Sequence, residues 1–159
     1  MTTVGAEQVA PIRAMLTRDI DGYKRMSGQI TDPAGVRALG ALIAVSFFHA
    51  GEQRFKGGKA ADVTAFVEDL RTRRGLANEV DPQIAERLLL ATFTDEEIDD
   101  ISAEAQGDHF GVLLAGLIAD ANLSEAQLDA FLENARKSAD EWLADAPPFP
   151  EGTRGASDD

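Results

Sequence analysis

The chain has 159 residues, 44% of them apolar and 27% charged, enough for one domain whose core takes roughly two-thirds of the unfolded surface out of water. It has no cysteine, which excludes a disulfide scaffold, a thiolate metal site and a Cys nucleophile, and which fits a reducing compartment such as the cytoplasm. The net charge of −13 divides into +3 over residues 1–75 and −16 over residues 76–159, so a polyanion would be repelled and nucleic acid is not expected as a partner.

From the N-terminus, MTTVGAEQVAPIRAML lacks a basic segment followed by an apolar one, and no signal peptide is expected. Val9, Ile12, Leu16, Ile20 and Tyr23 recur at three and four residues, predicting one amphipathic helix from about Glu7 to Ser27. Asp32-Pro33 then combines an N-cap with a first-turn proline and opens a helix to about Phe55. This helix is apolar nearly all round over Leu39 to Phe48, as a central helix would be. Its longest apolar run, residues 38–48, is about half the length a membrane crossing needs, and no membrane association is expected. Gly35 and Gly40 within it suggest close approach of a neighbouring backbone.

A third helix spans about Ala60 to Arg74, stopped at Gly75. Asp81-Pro82 opens a short fourth carrying Ile84, Leu88 and Leu89. Thr94 with Glu97 reads as a capping box at the head of a very acidic helix through Ile98, Ile101 and Ala105. Asp108 is the expected cap of the next, apolar on all sides from Phe110 to Ala119 and carrying Gly111 and Gly116. Ser124 with Gln127 is a second capping box; it starts a last helix whose stripe is Leu128, Phe131, Leu132, Ala135, Ala139, Trp142 and Leu143. Residues 147–159, PPFPEGTRGASDD, have the composition of a disordered acidic, Pro- and Gly-containing tail. With no alternating run to make a strand, the expected fold is all-α: a single-domain bundle over residues 1–146, of about seven helices with two central apolar ones.

The stretch GEQRFKGGKAADV, residues 51–63, invites comparison with a phosphate-binding loop. Such a loop needs four residues between its first glycine and Gly-Lys, then a hydroxyl residue, after a strand; here six residues intervene, Ala60 follows Lys59, and a helix precedes. It reads instead as a helix–helix connection. The alternative reading is a weaker anion site where Arg54, Lys56 and Lys59 surround the start of the third helix.

The histidines are two, His49 and His109. His49-x-x-Glu52 and Asp108-His109 fall short of the three or four converging ligands that a zinc or di-iron site requires, so no metal and no cofactor are expected. In the acidic run TDEEIDD (94–100), Asp95, Glu97 and Asp99 alternate as calcium ligands do, but Asp100 stands where that loop needs glycine, leaving a solvated helical face as the reading. There is no nucleophile elbow and no recognisable Ser, His and Asp set, so no catalytic residues are assigned.

These features favour a non-catalytic protein-interaction or regulatory protein, taking a protein partner or a second copy of itself, with Phe47, Phe48 and Phe55 as the expected interface. A bundle that binds a small apolar or anionic ligand is the alternative, with His49, His109, Arg54, Lys56 and Lys59 as its candidate residues. An enzyme working through His49 or His109 is a third reading.

Overall fold

A computed structural model describes residues 4–145, of which 74% are helical, in seven helices and no strand. The helices are α1 (Ala6–Leu16), α2 (Ile20–Gly28), α3 (Pro33–Phe55), α4 (Ala60–Thr72), α5 (Pro82–Leu90), α6 (Ala103–Ala121) and α7 (Glu125–Asp145). The fold is the expected all-α single bundle; the proposed tail, 147–159, lies outside the described residues.

Three cap signals act as the sequence suggests. Asp32 accepts from the Gly35 N–H, Asp81 from Gln83 and Ile84, and Ser124 and Gln127 bond each other reciprocally, each closing free N–H groups at a helix start.

The helix count agrees with expectation only because two differences cancel. The first predicted helix is two. α1 ends at Leu16 in a Schellman pair, Asp19 N–H to Ala14 C=O at 2.8 Å and Arg18 N–H to Met15 C=O at 3.2 Å. Arg18 holds the left-handed conformation at φ 68°, and Asp19 caps α2 through the Gly22 N–H. The predicted acidic helix, conversely, is a loop, and α6 begins at Ala103. Ser102, not Asp108, caps it, accepting from the Ala105 N–H at 3.1 Å. Thr94 makes no capping box: its hydroxyl donates back to the Leu90 carbonyl.

α3 and α6 form the centre. α3 packs on α6, α7 and α1; α6 also packs on α5 and α1; α2 lies against α1, and α4 pairs with α5. The core holds Leu42, Phe47 and Phe55 from α3, Leu113, Leu114 and Leu117 from α6, Val67 and Leu70 from α4, and Leu132 from α7. By length and composition α3 would be able to cross a membrane, alone in this among the described residues.

Of the two glycines expected to meet a neighbouring backbone, Gly35 is instead crowded by side chains, Asp32 at 2.8 Å and Ile30 at 2.9 Å from a side chain placed there. Gly40 is not crowded at all, and the tightest approach in α3 is at Gly51. A side chain at Gly51 would lie 2.6–2.8 Å from Thr92, whereas Gly40 faces open space.

The first and last helices close the bundle. The Val4 N–H donates to Asp140, Arg136 donates to the Val4 carbonyl, and Arg13 of α1 pairs with Asp129 and Glu125 of α7. Arg54 and Arg74 share Asp120 of α6 at 3.7 and 3.8 Å. Arginines of the basic half thus meet carboxylates of the acidic half within one molecule.

Candidate functional site

Two clefts lie end to end along the seam between α3 and α7. Its residues pair in opposite order, Ala41 near Trp142 and Glu52 near Gln127, so the helices run antiparallel. At one end is an apolar cleft of about 320 Å³ between Ala41, Ala44, Val45 and Phe48 of α3 and Ser138 and Trp142 of α7. At the other is a polar cleft of about 450 Å³ that includes Glu52, Gln53, Gln127 and Asn134. His49 lines both and marks their junction. Each is the size of a typical small binding cleft.

The local sequence explains the hollow. α7 turns Leu128, Phe131, Leu132, Ala135, Ala139 and Leu143 into the core at helical spacing. Trp142 precedes Leu143 directly, and neighbours on a helix point about 100° apart, so both cannot lie at the centre of the stripe. Leu143 takes the core and Trp142 stands 55% exposed, the most exposed large apolar side chain among the described residues. Opposite it α3 offers the small Ala41 and Ala44, which leave the space unfilled. The wall behind is firm: the Phe48 ring meets Phe47 edge-on at 5.4 Å and Phe110 at 6.0 Å, and Phe47 lies 5.0 Å from Phe110.

The expected interface needs correction. Phe47 and Phe55 are core residues, 0% and 1% exposed, because α3 is covered on several sides within its own chain; only Phe48 reaches a surface cleft. Phe55 packs edge-on against Phe66 and stacks on Phe93. The aromatic residue that does face outward, Trp142, was assigned from periodicity to the buried stripe.

The expected anion site is not assembled either. The Arg54 guanidinium lies over the Phe55 and Phe66 rings at 5.2 and 5.9 Å and turns to Asp120. At the start of α4 the Asp62 carboxylate already accepts the Lys59 N–H at 2.9 Å and fills the position an anion would take. Lys56 and Lys59 are exposed on a turn that Gly57 permits at φ 77°.

His109 is buried and engaged at both ring nitrogens. Nε2 accepts the Asp81 N–H at 3.0 Å, which fixes the neutral tautomer whose Nδ1–H donates to the Ala105 carbonyl at 2.8 Å. It ties the start of α5 to α6, and it does not share the seam with His49.

The acidic run is organised around a cation of the chain itself. Arg87 donates from Nε to Glu96 at 3.0 Å, from both terminal nitrogens to Asp100 at 2.8 and 2.7 Å, and to the Glu97 carbonyl. Gln106 closes the loop through the carbonyls of Ile98 and Ile101. The hydrogen bonds and charge of Arg87 hold the Asp100 carboxyl down to about 2 from its ordinary 3.8. Among the described residues no group of three or more His, Asp and Glu side chains could hold a metal ion.

No protein-family model, no curated protein and no solved structure matches this chain.

Proposed function

We propose that this chain is a non-catalytic interaction module that receives a basic amphipathic helix of a partner protein along the α3–α7 seam. The observation that carries the reading is Trp142, 55% exposed beside an apolar cleft floored by Ala41 and Ala44. A half-exposed tryptophan over an unfilled apolar cleft has the character of an interface anchor. The rest of the seam fits the same mode: an apolar end for a helix's anchor residues and a polar end, with Glu52, for its charged flank. The choice of a basic partner follows from charge. The chain carries −13 overall and α7 has six carboxylates against Arg136 and Lys137, so a second copy laid on this face would bring like charges together.

Burying the remaining half of the Trp142 surface, about 100 Å² or slightly more, is worth roughly 2–3 kcal/mol, or about 30- to 150-fold in affinity. Calorimetric titration with a Leu/Lys amphipathic helical peptide tests this. Parent protein should bind it, and Trp142→Ala, with an unchanged melting temperature, should bind at least 30-fold more weakly. Equal binding by the two proteins would refute the assignment of the seam. A homodimer in light scattering that Trp142→Ala dissociates would place a second copy there instead.

A further inference from the structure

A second cleft, away from the seam, has a different chemistry. It encloses about 450 Å³ between Met15 and Leu16 of α1, Leu70 and Leu76 of α4 and its exit, and Val112 and Ala115 of α6. Its apolar walls end at two guanidiniums, Arg18 and Arg74, and the same two line an adjoining cleft of about 270 Å³.

Arg18 is the unusual element. It occupies the left-handed residue of the Schellman pair that ends α1, at φ 68°. That position is ordinarily glycine's, because a side chain there is strained. Such strain persists where the side chain has a use. Arg18 has no ion-pair partner among the described residues. Arg74 shares its carboxylate, Asp120, with Arg54, so two guanidiniums face that one carboxylate. Glu125 of the adjoining cleft is engaged by Arg13, which also holds Asp129. The mouth is therefore locally positive on a chain of net charge −13.

We infer that this cleft binds a medium-chain amphipathic anion, an acyl carboxylate whose tail enters between α1, α4 and α6 and whose headgroup rests on Arg18 and Arg74. Apolar walls with few convergent polar groups are the usual form of such a site, and a guanidinium matches a carboxylate in bidentate geometry.

Titration of ¹⁵N-labelled protein with decanoate, below micelle formation, is the test. Shifts should map to residues 15–18, 70–76 and 112–119, and Trp142 emission should not change, since the two sites are separate. Decanol should bind at least tenfold more weakly, and acetate should not bind at millimolar concentration. Arg18→Gly should melt no lower than the parent, because glycine suits the position, yet lose at least tenfold in decanoate affinity. Ala115→Phe should fill the cleft and abolish both decanoate and decanol binding. The proposal is overturned if decanoate produces no shifts, if they map to the α3–α7 seam, if decanol binds equally well, or if Arg18→Gly keeps full affinity. Sedimentation with phosphatidylglycerol vesicles in the absence of decanoate binding would also overturn it, assigning the arginines to a lipid surface.

Discussion

Two alanine substitutions in one helix should move stability in opposite directions. Gly40 and Gly51 both lie inside α3, where alanine is intrinsically favoured over glycine by about 1 kcal/mol. Nothing lies within 4 Å of the side chain that Gly40→Ala would introduce, so that variant should gain about 0.5–1 kcal/mol. At Gly51 the new methyl would lie 2.6 Å from Thr92 Cγ2, 2.7 Å from Oγ1 and 2.8 Å from Cβ. Thr92 cannot easily retreat, being buried with its hydroxyl donating to the Leu89 carbonyl at 2.6 Å. Overpacking of this kind costs about 1–3 kcal/mol and outweighs the helix-propensity gain, leaving a net loss of about 1 kcal/mol, with about 2 as the upper end. In a chain of this size 1 kcal/mol corresponds to roughly 3 °C. Thermal and urea unfolding followed by circular dichroism should place Gly51→Ala below the parent and Gly40→Ala above it. Two variants equally stabilised would refute the packing of Thr92 on α3.

The remaining expectations concern two polar groups with structural roles. His109→Ala should cost about 1–3 kcal/mol in urea unfolding, because it strips the Asp81 N–H of its acceptor; a fully stable variant would contradict the bond between α5 and α6. For Arg87, the Asp100 carboxyl is depressed in the folded state, so the stability this pair contributes is complete above the ordinary carboxylate value near 3.8 and is lost as pH falls through about 2. The stability difference between parent and Arg87→Gln should accordingly shrink between about pH 4 and pH 2, and a difference that does not vary with pH would count against the loop's closure on Arg87.

What the sequence made legible were features whose cause is local. Asp32, Asp81 and Ser124 with Gln127 announce helix starts because the cap and its N–H partners lie within three residues of each other. The break between α1 and α2 stayed hidden because Leu16 and Ile20 sit four residues apart on either side of it, so the helical period runs through; the readable signal was Asp19 as a cap. The acidic run read as helix for want of its organiser, Arg87, which lies 9 to 13 residues upstream of its carboxylate partners. Phe47 and Phe55 pointed to an interface because an all-round apolar helix does not reveal how much of it its own chain covers. Trp142 fell into the buried stripe since its distance along the helix fits as well as that of Leu143; only the packed structure decides between them. The cleft of Arg18 and Arg74 joins α1, α4 and α6, and no motif spans such separations.

The docking of a basic amphipathic helix on the α3–α7 seam is tested most directly by the emission of Trp142, the single tryptophan in the chain. In the free protein, 55% exposed, it should emit at the long wavelengths of a wet indole, and it should shift to the blue as the Leu/Lys helical peptide is added, saturating with the calorimetric binding curve. Peptide binding that leaves the Trp142 emission where it began would contradict the account.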